Sequence, residues 1–175
     1  MTDMRIKNDK GLTFIEIIMV LVVATLIAVI VINRLVSTGA ELIAQTDVIK
    51  AHLRYAQASA MGSDNIRGIH CDGDFYWLYK EGNIGNRVIL PGEKVNTDGN
   101  VADVANANKV RLSEKGISNM ELFTLSFDDM GVPHTDATAA DGNELTAGHS
   151  YSQITVSSGG DNQTITITPN TGFIP

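Results

Sequence analysis

The chain reads as an α+β protein, a long N-terminal α-helix packed on a C-terminal antiparallel β-sheet domain. Three observations predict this. An almost unbroken apolar run fills residues 12–32. A helix-period stripe carries on from it to residue 60. Beyond residue 65 the apolar period drops to two, between stretches rich in Gly, Asn, Asp, Thr and Ser. With 175 residues, there is room for one modest domain and an extended segment.

Residues 1–11 form a charged leader, with Arg5, Lys7 and Lys10 against Asp3 and Asp9, ending in Gly11. Residues 12–33 follow as a transmembrane helix. Leu12 to Ile32 spans 21 residues, and a helix of that length is about 30 Å long, the thickness of a bilayer's hydrocarbon core. β-Branched residues abound, but in lipid the backbone must satisfy its own hydrogen bonds, so helix wins. The basic leader stays cytoplasmic by the positive-inside tendency and the rest of the chain is exported. Arg34 on the far side weakens that signal without reversing it. A cleaved secretory signal would have a shorter core and a small-x-small site, which Ile30 to Arg34 does not offer.

Glu16 is the anomaly of this segment. A charge near the centre of a membrane helix costs roughly 2.5–3.5 kcal/mol. Glu16 lies nearer the end, where the cost is lower, yet an intramembrane acid is by default a functional group.

Residues 34–62 continue the helix in amphipathic form. Leu42, Thr46, Ile49, Leu53, Ala56 and Ala60 recur at three and four residues and define one buried face. Glu41, Gln45, Asp47, Lys50 and Arg54 fall elsewhere on the wheel. No proline interrupts Leu12 to Gly62, and Gly62-Ser63-Asp64-Asn65 reads as the stop. A helix from Leu12 to Met61 would be about 75 Å long.

Residues 63–175 make the exported β-rich domain. Period-two runs predict strands at Ile66–Cys71, Phe75–Lys80, Arg87–Leu90, Val110–Leu112, Leu122–Phe127, Gln153–Ser157 and Gln163–Thr168. The last two flank Ser158-Gly159-Gly160-Asp161-Asn162, a hairpin signal, and Asp72-Gly73-Asp74 reads as another turn. Asn96–Asn108 and Pro133–His149 read as long loops. In Phe75-Tyr76-Trp77-Leu78-Tyr79, alternation puts Phe75, Trp77 and Tyr79 on one face and Tyr76 on the other, one of them core. Only Lys80 and Arg87 lie near these aromatics in sequence, too few for a nucleic-acid stacking platform.

The formal net charge is −7, which disfavours nucleic acid as a partner because phosphate backbones need a positive footprint. Cys71 is the only cysteine; an intramolecular disulfide is impossible, and a buried core thiol is the expectation. His52, His70, His134 and His149 show no zinc-ligand spacing. Asp-Gly dipeptides at Asp72, Asp98 and Asp141 lack the spaced acids of a calcium loop and read as turns. No phosphate-cradling glycine loop or nucleophile setting is visible. The expectation is therefore no catalytic residue, no metal, no cofactor and no enzyme activity.

Gly11-Leu12-Thr13-Phe14-Ile15-Glu16 resembles the processing signature of type IV pilins and of type II secretion pseudopilins. That pattern is Gly, an apolar residue, Thr, two apolar residues and Glu, opening an apolar helix behind a basic leader. The resemblance implies that a prepilin peptidase cuts between Gly11 and Leu12 at the cytoplasmic face and N-methylates Leu12. It implies that Glu16, then the fifth residue, meets the free α-amine of a neighbouring subunit during assembly. Asn33 and Thr25 stand where many pilins carry a helix-softening proline and glycine. Further along, Leu53-Arg54-Tyr55-Ala56-Gln57-Ala58-Ser59-Ala60, Leu125-Ser126-Phe127-Asp128-Asp129-Met130-Gly131-Val132-Pro133 and Thr164-Ile165-Thr166-Ile167-Thr168-Pro169-Asn170-Thr171-Gly172 are similar to the minor pseudopilin H type and the FimT-like minor pilins. These resemblances imply a structural subunit of a secretion pseudopilus, with a major or minor type IV pilus subunit as the alternative. Its implied partners are the prepilin peptidase, other pilin-like subunits, an inner-membrane assembly platform and membrane lipid. Its implied place is the bacterial inner membrane, single-pass, with the C-terminal domain in the periplasm.

Overall fold

The computed structural model describes residues 14–93 and 107–175, and within the helix the backbone alone at 29–38. The leader, Gly11, Leu12 and most of the Asn96–Asn108 loop lie outside the described residues. The protein is α+β with antiparallel sheets. Among the described residues one α-helix, α1 (Phe14–Met61), precedes nine strands: β1 (Arg67–Cys71), β2 (Phe75–Lys80), β3 (Asn83–Val88), β4 (Val110–Arg111), β5 (Asn119–Met120), β6 (Phe123–Phe127), β7 (Pro133–His134), β8 (Gln153–Ser158) and β9 (Asp161–Thr166). The chain divides into two compact units, ending at Ser37 and beginning at Thr38.

In the second unit the helical stripe does what its period requires. Leu42, Thr46, Ile49, Leu53, Ala56 and Ala60 are all buried, while Glu41, Asp47 and Arg54 are exposed. Thr46 returns its hydroxyl to the Leu42 carbonyl at 2.7 Å, which lets a polar residue sit on the apolar face. The helix stops where Gly62 N–H reaches the Ala58 carbonyl and the Ser63 hydroxyl the Ser59 carbonyl.

The strands form two sheets rather than the one expected. The larger has the order β3-β2-β1-β6-β7, and β4 shares an edge of β2 with β3. The smaller is β5-β8-β9. Ile69, Leu78 and Leu125 lie side by side across three strands of the first, and Ile154 opposes Ile165 in the second. Together with the buried face of α1 they make one hydrophobic core. The β8–β9 hairpin closes through Gly159 and Gly160, at φ 59° and 97°, the doubly left-handed turn that suits strand twist.

Four sequence expectations need correction. The third strand starts at Asn83 and ends at Val88, not Arg87–Leu90, because Glu81 and Gly82 make a tight turn at φ 59° and 63°. β5 and β7 were not visible as strands: each has only two residues, too few to show a period. The Pro133–His149 loop opens on the short strand β7, and the Asp136 carboxylate ties the rest together, accepting from Thr138, Asn143 and the Ala140 N–H. Finally, both faces of β2 are buried, from Tyr76 through Tyr79. Tyr76 and Leu78 belong to the core. On the other face Tyr79 lies across Gly68, whose Cβ would collide with the phenol ring and with the Leu125 carbonyl.

Candidate functional site

The first unit is the helical stretch carrying Phe14, Ile15 and Glu16. Straight-chain and branched apolar residues hold the α-helix, with Glu16 in the first turn, where the helix dipole favours an acid. All side chains described here, 14–28, are exposed. Phe14 is 80% and Met19 71% exposed, and Val20, Leu21, Leu26 and Ile27 are each more than half exposed. Burying one such side chain is worth about 1.5–3 kcal/mol. A row of them therefore leaves unmet a burial energy comparable with the whole stability of a small domain. Thr25 turns its hydroxyl back to the Val22 carbonyl at 2.8 Å, the arrangement that hides a hydroxyl in apolar surroundings. Of the sequence-predicted site residues, Glu16 stands on this helix, and Gly11 and Leu12 lie outside the described residues. Among the described residues no helix is long and apolar enough to cross a membrane. Part of the expected Leu12–Ile32 span falls outside the residues whose side chains are described.

The second unit holds a cleft of about 630 Å³. Its carboxylates come from three separate places: Asp64 after α1, Asp128 and Asp129 after β6, and Asp141 and Glu144 beyond β7. Asp128 shapes it. One carboxylate oxygen accepts from the N–H groups of Met130 at 3.0 Å and Val132 at 2.7 Å. The other lies 3.4 Å from Nε2 of buried His134, whose Nδ1 faces the Ala140 carbonyl. Behind the cleft, partial burial acts to raise the pKa of Asp136. The hydrogen bonds from Asn143, Thr138 and the Ala140 N–H outweigh it and leave the carboxyl below its usual range.

The outer face of the larger sheet carries a different cluster. Lys109 Nζ sits 4.2 Å from the Trp77 ring centre and 3.2 Å from the Asp72 carboxylate. Arg111 covers Phe75 at 4.9 Å. Trp77 donates its indole N–H to the Ile84 carbonyl at 2.9 Å and is only 5% exposed, so its ring offers no open stacking surface. The basic neighbours of the aromatics are thus Lys109, just before β4, and Arg111 on it, besides the Lys80 and Arg87 seen in sequence. Among the described residues, the hydroxyls of Tyr79 and Ser126 are buried without a well-formed hydrogen bond. Burial pushes the Tyr79 phenol above its ordinary value, and the nearby Ser126 hydroxyl pulls the other way.

His52 and Cys71 are core residues. His52 Nε2 donates to the Pro91 carbonyl and Nδ1 accepts from the Tyr76 hydroxyl, both at 3.1 Å, the tautomer that satisfies every group present. Burial lowers its pKa, with the Pro91 carbonyl opposing. Burial pushes the Cys71 thiol up to about 11, which keeps it protonated and inert. Among the described residues no three His, Cys, Asp or Glu side chains converge to hold a metal.

The chain matches no protein-family model, no curated protein and no solved structure.

Proposed function

We propose that this protein is a pilin-like structural subunit, processed by a prepilin peptidase and assembled into a type II secretion pseudopilus. One observation carries the reading: a peptidase-type motif, Gly11 to Glu16, opens a helix whose side chains from Phe14 to Ala28 are exposed. Such a surface needs a nonaqueous neighbour, and lipid followed by other helices supplies it. In this reading residues 12–33 cross the inner membrane and 34–62 continue as an amphipathic helix bearing the periplasmic domain. Cleavage after Gly11 frees the Leu12 α-amine, which then accepts a methyl group. When the helix leaves lipid for a filament core, Glu16 enters a low-dielectric setting and must be paired. The α-amine of an adjacent Leu12 pairs it, and only in the correct register. The role is mechanical, without catalysis or cofactor.

The test is intact mass from membranes with and without a functional prepilin peptidase. The expected mass begins at Leu12 with one added methyl. A chain still beginning at Met1 in the presence of the enzyme overturns the reading. Glu16→Ala is expected to be cleaved normally but to fail to enter filaments; normal incorporation removes the assembly role of the carboxylate.

A further inference from the structure

The cleft of the second unit joins an apolar side to an acidic rim. Its apolar side is made by Ile66, Met130 and Val132. Met130 is 74% exposed, a large flexible side chain standing in water. Beside the cleft, Met61 lies at Gly131, where an added Cβ would come within 2.8 Å of its sulfur, and Met61 is itself 57% exposed. Among the described residues five carboxylates rim the cleft, and no Lys or Arg lines it. Among the described residues, nothing pairs with the carboxylates of Asp64, Asp129 and Asp141, whereas Asp128 holds Met130, Val132 and His134. These acids are spread round the rim rather than converged, and no three of them are placed to hold one cation. That spacing suits several cations carried on a chain better than a single point charge.

We propose that this cleft docks a segment of a partner protein in which lysine or arginine alternates with apolar side chains. The apolar residues cover Met130, Val132 and Met61, and the long basic side chains lay their stems on the same surface while their heads reach Asp64, Asp129 and Asp141. Methionine suits such a surface because its unbranched thioether adapts to different apolar shapes. The charge complementarity sets the orientation and the rate of encounter. The proposal is independent of how the N-terminus is processed.

The test uses the full chain in detergent, with fluorescence anisotropy of a short synthetic peptide alternating lysine and leucine. The probes beside it are oligolysine of equal charge, the glutamate–leucine counterpart and calcium chloride alone. Wild type is compared with Met130→Ser and with the triple variant Asp64→Asn, Asp129→Asn, Asp141→Asn, so that uptake of peptide by the micelle cancels. All four positions are exposed, which leaves folding intact. The expected result is binding of the lysine–leucine peptide that falls at least about tenfold in the triple variant and severalfold in Met130→Ser, with weaker binding of oligolysine and none of the glutamate peptide. Equal binding by wild type and the triple variant overturns the proposal. So does oligolysine binding as tightly as the mixed peptide, which would make the rim a mere acidic surface. Saturable displacement of the peptide by calcium makes the cleft a cation site and overturns it too.

Discussion

The two units contain the same kinds of apolar side chain and treat them in opposite ways. On α1 beyond Thr38, Leu42, Ile49 and Leu53 are at most 2% exposed. On the stretch before it, Leu21 is 59% and Ile27 57% exposed. The difference lies in period and in what the chain supplies as a partner. A stripe at three and four residues asks for one covered face, and two sheets provide it. An all-round apolar helix asks for cover on every side, and within the first unit no described residue covers it. The lesson is that the second unit's energy is spent inside the chain, whereas that of the first is available to something else.

The strongest way to break this contrast is at Gly68. A side chain there meets the Leu125 carbonyl and the Tyr79 ring, and the first of these is backbone. Gly68→Val is expected to cost more than about 3 kcal/mol, by overpacking, and to abolish cooperative melting of the second unit. Membrane extraction behaviour, which the proposed function assigns to the first unit, should be unchanged. A variant that melts like wild type would mean that the Tyr79 stack is not needed.

Leu53→Ala and Leu21→Ala sharpen the comparison directly. Leu53 is fully buried, and its truncation is expected to destabilise the second unit by about 2–5 kcal/mol. Leu21→Ala should move the same denaturant midpoint by less than about 0.5 kcal/mol. Under the proposed function its effect belongs in partitioning to lipid instead. Equal shifts in chemical melts of the two variants would show that the first unit buries its leucines in the free protein after all.

Acid gives a smaller and graded effect. His52 and His70 both have pKa values lowered by burial. The unfolded chain takes up their protons below about pH 6.5 while the folded chain does not. Stability therefore falls as pH drops from 6.5 towards the folded values. Asp72 and Asp136 have lowered pKa values. In both, burial opposes the shift and hydrogen bonds prevail. Their contribution is complete above the ordinary carboxylate range and is lost below about pH 4. Denaturant midpoints against pH should show two regions of loss. His52→Gln should flatten the upper one and leave the lower, and an unchanged upper region in that variant would relieve His52 of the role.

Legibility followed the same division. The stripe from Leu42 to Ala60 could be read because helix period is local, and the β8–β9 hairpin because two glycines announce it. The Glu81–Gly82 turn escaped because Glu81 takes a left-handed conformation that its side chain does not advertise. Alternation assigned Trp77 and Tyr79 to one face, but could not say that this face would also be covered, since Lys109 arrives from 32 residues beyond Trp77. The cleft was illegible for the same reason, its acids coming from Asp64, Asp128 and Asp141. For Gly11, Leu12 and Glu16 the case is different: the motif is contiguous in sequence, Gly11 and Leu12 lie outside the described residues, and its reading as a processing signature stands as the proposal above.

The smallest effect concerns the wall of that cleft. Ala139 lines it at φ 48°, a conformation that costs an L-residue roughly 1–2 kcal/mol. Glycine would remove that strain but add about 0.5–1 kcal/mol of chain entropy to be lost on folding. Ala139→Gly should therefore stabilise the second unit by no more than about 1 kcal/mol, read as a rise of a few degrees in the melting temperature. The Asp136 hydrogen bonds from Thr138 and Ala140 bracket the residue, so the loop keeps its path in the variant. A fall in melting temperature would show that the Ala139 methyl, rather than the Asp136 ties, holds the wall in place. The strain would then be maintained by packing, and the cleft would be a more rigid feature than its exposed rim suggests.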